Sequence, residues 1–212
     1  QKMDIHIEHV SKKFKENQLF EDVNLTLSDG RIYGFIGRNG SGKSVLFKMI
    51  GGYMYPDHGT ITVDGKTIGK DLDFPDKMGA LIENPGYMWH ETGFENLWYL
   101  AKIRHCIQKS DVEDTMRLLE LDPALKTKVG KYSLGMKQRL GIAQAIMEDP
   151  DLLILDEPMN GLDESGVKLI RNVIRKFRQP GKIVLLASHN REDIEILCDE
   201  VYQVQNGQIE KR

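Results

Sequence analysis

The sequence predicts an α/β fold: a largely parallel sheet, an antiparallel β subdomain near the N-terminus and an inserted helical subdomain. Three observations predict it. Ile32-Tyr-Gly-Phe-Ile36, Leu152-Leu-Ile-Leu155 and Ile183-Val-Leu-Leu-Ala187 are short, continuously apolar runs rich in branched residues, as strands buried on both faces of a parallel sheet require. Several segments nearer the N-terminus instead alternate apolar with polar residues, the mark of half-buried strands. Between the two sets, from about residue 84 to 148, the period becomes helical.

Ile5 and Ile7 alternate with His6 and Glu8, and Val23, Leu25 and Leu27 are separated by Asn24 and Thr26. Ile61 and Val63 alternate likewise and run into Asp64-Gly65, while Val204 and Ile209 flank Asn206-Gly207. Both dipeptides supply the positive φ angles that a tight hairpin needs. Val45 to Ile50 reads as a helix. Thr92 and Glu95, and Ser110 and Glu113, have capping-box spacing, in which hydroxyl and carboxylate satisfy orphan amides at a helix start. Met136, Leu140, Ala143 and Met147 then mark one helix face, and Val167, Ile170, Ile174 and Phe177 another. On that second helix Lys168, Arg171, Arg175 and Arg178 turn away from the stripe, which predicts a solvated basic face.

At 212 residues the chain is expected to form a single domain spanning residues 1–212. A formal charge of −3 and a pI near 6.1 lack the positive field of a protein that coats nucleic acid, so no nucleic-acid partner is expected. The longest apolar runs, Leu97 to Ala101 and Ile183 to Ala187, fall far short of the roughly 20 residues of a membrane span. Residues 1–13 hold no signal-peptide core, and Cys106 and Cys198 have no metal-ligand spacing, which fits a reducing, cytoplasmic compartment.

Gly37-Arg-Asn-Gly-Ser-Gly42-Lys43-Ser44 follows the apolar run ending at Ile36 and precedes a helix. This is the G-x-x-x-x-G-K-[ST] phosphate loop in its strand-loop-helix setting. Its glycines let successive N–H groups turn inward, the helix N-terminus adds positive potential, Lys43 can reach phosphate oxygens and Ser44 can ligate Mg²⁺. Gly37, Arg38, Asn39, Gly40, Ser41, Gly42, Lys43, Ser44 and Val45 are therefore the candidate ATP contacts. Asp156 and Glu157 end another apolar run, at the strand edge where open α/β sheets bind ligands. Asp156 suits a Mg²⁺-holding acid and Glu157 a water-orienting one, the two tasks phosphoryl transfer demands.

With these residues placed, the chain resembles, over nearly its whole length, the nucleotide-binding subunit of an ABC transporter. The resemblance implies a P-loop NTPase (RecA-like) core and ATP hydrolysis. Tyr132-Ser133-Leu134-Gly135-Met136 resembles the family's signature sequence, Asn160-Gly161-Leu162-Asp163 its D-loop, and Ser188-His189-Asn190 its switch-histidine segment. By resemblance Ser133, Gly135 and Asp163 contribute to an ATP site shared between two subunits, and His189 and Glu157 are catalytic. Phe14 falls where the family commonly stacks an aromatic ring on adenine.

Three departures matter. Glu83 stands where the family usually has glutamine; it can still offer an oxygen to Mg²⁺ but adds charge. Leu134 and Met136 replace glycine and glutamine of the signature, and Phe14 lacks tyrosine's hydroxyl. The resemblance implies a second copy or a paralogous ATPase subunit as partner, and a separate transmembrane permease docking near Tyr87 to Trp89, which places the protein at the cytoplasmic face of the membrane. Ala80-Leu-Ile-Glu-Asn-Pro-Gly86 looks like bacterial drug and antimicrobial-peptide export cassettes. A soluble non-transport ABC ATPase and a P-loop small-molecule kinase are the alternatives.

Overall fold

The computed structural model describes residues 2–83 and 85–212. Asn84, where sequence reasoning starts the helical subdomain, lies outside the described residues.

The chain opens with β1 (Asp4–Phe14) and β2 (Asn17–Ser28), an antiparallel pair, then β3 (Arg31–Ile36) and α1 (Lys43–Ile50). The strands β4 (His58–Val63) and β5 (Lys66–Thr67) form the expected hairpin, with Asp64 at φ 50° and Gly65 at φ 73°. After β6 (Met78–Leu81) come α2 (Gly93–Arg104), α3 (Lys109–Leu118), a 3₁₀ turn at Val129–Lys131 and α4 (Leu134–Ile146). The order closes with β7 (Leu152–Asp156), α5 (Glu164–Arg175), β8 (Ile183–Ala187), α6 (Arg191–Leu197) and the hairpin β9 (Glu200–Gln205) and β10 (Gln208–Lys211).

Two sheets result among the described residues. One is antiparallel, in the order β2-β1-β4-β5; the other runs β10-β9-β3-β8-β7-β6 and is parallel from β9 to β6. The second sheet's register explains the continuous apolar runs. Ile32, Leu153, Leu155, Val184 and Leu186 face α4, α5 and α6, whereas Tyr33, Phe35, Ile154, Leu185 and Ala187 face α1 and the antiparallel sheet. With both faces covered, alternation has nothing to mark. The paired registers Phe35 with Ala187, Asp156 with Ala187, and Leu81 with Leu155 bring the carboxyl ends of β3, β6, β7 and β8 to one edge.

Helix starts follow side-chain chemistry. Thr92 and Glu95 make the expected capping box, at 3.1 and 2.7 Å. The second box is corrected by two residues: α3 starts at Lys109, and the Asp111 carboxylate accepts from the Gln108 N–H at 2.7 Å, so Ser110 lies inside the helix. Asp111 satisfies the orphan N–H of Gln108, two residues before the amides a Ser110–Glu113 box would serve, and Glu113 instead accepts from Arg117 at 3.0 Å. The basic face of α5 is also corrected at one position, because Arg171 is turned inward against α6 while Lys168 and Arg175 are exposed. None of the described helices is long and apolar enough to cross a membrane.

Candidate functional site

The loop from Gly37 to Gly42 turns tightly out of β3. Gly42 has φ 109°, and a Cβ there would stand 2.6 Å from the Phe20 ring. At Gly37 a Cβ would lie 2.4 Å from the Val204 carbonyl. The loop therefore needs glycine for conformation at one end and for close approach at the other.

Lys43 folds back over this loop. It is only 7% exposed, and its ammonium donates to the carbonyls of Gly37 at 2.8 Å and Arg38 at 3.2 Å. No carboxylate among the described residues pairs with it, and Ser41 Oγ is buried without a partner. A buried cation balanced only by carbonyl dipoles, beside an unsatisfied hydroxyl, fits an incoming phosphate.

The edge of the parallel sheet supplies the opposite wall. Ser44 Oγ donates to Asp156 Oδ2, joining α1 to β7. A hydroxyl beside a single carboxylate suits Mg²⁺, which is held by few protein oxygens together with phosphate and water. Among the described residues no cluster of three or more His, Cys, Asp or Glu side chains forms a metal cage. The third predicted ligand, Glu83, lines the same cleft, but its carboxylate pairs with Lys48 of α1 at 2.6 Å.

Glu157 occupies the left-handed region at φ 52°, a costly conformation for a glutamate. Its N–H donates to the Ala187 carbonyl at 2.9 Å, and the Gln138 amide donates to the carbonyls of Glu157 at 3.2 Å and Pro158 at 2.9 Å. Held this way, its carboxylate lies 2.7 Å from His189 Nδ1 and accepts from the His189 N–H at 3.3 Å. The His189 side chain is 67% exposed.

Phe14, Asn39, Gly40, Gly42, Lys43, Ser44, Val45, Glu83, Asp156 and Glu157 line one cleft of about 630 Å³, a volume suited to a small-molecule ligand. Ser133, Gly135 and Asp163 do not line it. Ser133 Oγ caps α4 by accepting from the Met136 N–H at 3.1 Å, and Asp163 caps α5 by accepting from the Gly166 N–H at 2.9 Å. That amide bond holds the Asp163 carboxyl below its usual range. Sequence reasoning gave no site role to Leu19, Leu134, Gln138 and Asn160, which also line the cleft. Leu134 packs over Gly161, where a Cβ would meet its side chain at 2.5 Å, and is still 66% exposed. Leu134 and Asn160 stand in the signature and D-loop segments, so their place in those motifs is the signal that could have found them; Leu19 and Gln138 carry none.

Comparison with known proteins settles the family. The ABC transporter family profile matches residues 20–160. The chain belongs to the ABC transporter family. It is an ATP-binding, ATP-hydrolysing subunit of that family, as the phosphate loop and the acidic pair require. It is 38% identical over 206 residues to the "Uncharacterized ABC transporter ATP-binding protein YybJ" of Bacillus subtilis (strain 168), covering 97% of this chain and 94% of that one. It is 39% identical over 207 residues to the bacitracin transport ATP-binding protein BcrA of Enterococcus faecalis, covering 97% of this chain and 67% of BcrA. Among solved structures, a dimeric post-hydrolysis state of the ATP-binding cassette MJ0796 bound to ADP and Pi superposes with a TM-score of 0.87 at 21% identity, covering 98% of this chain and 97% of that one. This likeness establishes the ABC ATPase fold.

Proposed function

We propose that this ABC ATPase closes head to tail with a second copy of itself, or with a paralogous subunit, to drive export through a separate permease. Each ATP then lies between Gly37 to Ser44 of one chain and Ser133 and Gly135 of the other. The observation that carries this reading is that Lys43, Ser44, Asp156 and Glu157 converge in a cleft that the signature meets only through Leu134, while Ser133 and Gly135 on either side of it stand outside. In this reading residues 84–148 act as a helical subdomain within a single domain spanning residues 1–212.

The chemistry follows from the side chains. Phe14, beside Leu19, offers a ring face to adenine. Lys43 and the loop amides take the phosphates and offset their charge. Ser44 and Asp156 would hold Mg²⁺, which when bound supplies charge neutralisation on the phosphate oxygens, and Glu83, paired with Lys48, could offer it a further oxygen. Glu157 orients the attacking water and takes its proton, and His189 fixes the glutamate's direction. Asp163, at the N-terminus of α5, joins the interface between subunits. Closure by ATP and release after hydrolysis couple the cycle through differential affinity.

Permease docking falls to Met88 and Trp89, which are exposed while Tyr87 packs inward and donates to the Lys137 carbonyl at 2.7 Å. Exposed aromatics and methionine suit an interface core. The named transport relatives support an antimicrobial-peptide or drug exporter at the cytoplasmic face of the membrane. Glu157→Gln tests the catalytic assignment: turnover falls by about a hundredfold or more with ATP affinity unchanged. Wild-type turnover in that variant contradicts it.

A further inference from the structure

The switch histidine has an unexpected support. With 67% of its side chain exposed, His189 is not fixed by packing. Its neighbours in the chain are fixed instead. Ser188 is buried, and its hydroxyl accepts from the Asn190 N–H at 3.1 Å while lying 3.3 Å from Asp193 Oδ2. One hydroxyl therefore pins the main chain on both sides of His189. Asp193 is 1% exposed, and its other oxygen takes a two-pronged bond from Arg171, at 2.9 Å from Nε and 2.6 Å from Nη2. Arg171 Nη1 also reaches Glu192 at 3.2 Å.

Arg171 belongs to α5, the helix that Asp163 caps. Eight residues at 1.5 Å each put it about 12 Å along the same rigid rod. A displacement of the Asp163 end is thus carried to the ion pair. We propose that Arg171, Asp193 and Ser188 form a positioning relay that sets the main chain around His189 and ties its placement to the segment ending at Asp163. The relay rests on the reading of His189 as a contributor to hydrolysis. It gives the interface between subunits a mechanical route to each subunit's own Glu157–His189 contact. The three are positioning residues; none of them lines the cleft.

Removing Asp193 or Arg171 outright would leave a buried charge uncompensated and endanger folding, so the test uses Ser188→Ala and Arg171→Lys. Single-turnover hydrolysis of radiolabelled ATP is measured in the wild-type and His189→Ala backgrounds, with ATP affinity and thermal midpoint measured alongside. The relay predicts about a tenfold slower rate for each variant, the effect of one charge-assisted hydrogen bond, with ATP affinity unchanged. It also predicts no further loss when either is added to His189→Ala, because residues acting as a unit are non-additive.

Equal loss in both backgrounds overturns the relay, as does an unchanged rate in both single variants. If His189→Ala hydrolyses no ATP above background, the ¹⁵N signal of the His189 imidazole in Ser188→Ala protein decides: a moved signal with slowed turnover supports the relay, and an unmoved one overturns it. Full turnover by His189→Ala instead overturns the reading of His189 on which the relay stands.

Discussion

The Glu157 carboxylate stands 2.7 Å from Nδ1 of His189, joining the carboxyl ends of two hydrogen-bonded strands, β7 and β8. With Nδ1 protonated, this contact gives the glutamate one preferred direction across the cleft. The strand register, the left-handed φ of Glu157 and the Gln138 clamp all act on the same side chain. The proposed catalytic carboxylate is therefore aimed by backbone geometry.

Lys48 neutralises the charge that Glu83 adds to the cleft. Lys48→Met leaves that charge facing the phosphates, so ATP binding in excess EDTA weakens by about two- to fivefold, the range of a partly exposed ion pair. The deficit shrinks with added salt and with Mg²⁺, which Glu83 is then free to approach. Titration calorimetry with and without Mg²⁺ measures both arms, and equal affinity without the metal contradicts the assignment.

The capping box of α2 gives a pH signature. Hydrogen bonds from Thr92, above all from its N–H, push the Glu95 carboxyl down to about 2. A carboxyl lowered by folding stabilises the protein above its unfolded value and loses that contribution as pH falls through its folded value. Glu95→Ala is accordingly less stable than wild type at pH 7, and the gap closes as pH drops from about 4.5 toward 2. Urea unfolding at pH 7 and pH 4 checks the sign; a gap that widens on acidification contradicts it.

The two thiols differ in environment. Burial against Gly34 pushes Cys198 up to about 12, whereas Cys106 is exposed. Since the thiolate is the reactive form, Ellman's reagent at pH 8 titrates one thiol in the native protein and the second only after unfolding. Simultaneous reaction of both would contradict the packing around β3.

Much of this arrangement is legible in the sequence because it is local. The loop from Gly37 to Ser44, the acids ending β7 and the Thr92 cap each need only a few neighbouring residues to define them. The parallel strands are legible because burial on both faces leaves no other pattern. Partners far apart in sequence are not. Lys48 meets Glu83, Gln138 meets Glu157, and Arg171 meets Asp193 only through the sheet's register and helix packing. Periodicity sends Arg171 to solvent because it counts apolar stripes and does not register a buried acid on another helix. The α3 cap differs for a smaller reason: Gln108 and Asp111 have the same three-residue spacing as Ser110 and Glu113, and the helix starts at the earlier pair.

The shared-site reading is tested most directly by sedimentation of Glu157→Gln protein with and without Mg-ATP, with Lys43→Ala as the control. The prediction is conversion from monomer to dimer on ATP alone, lost when Lys43 is replaced. Glu157→Gln protein that binds ATP and remains monomeric would contradict closure of two such subunits on ATP.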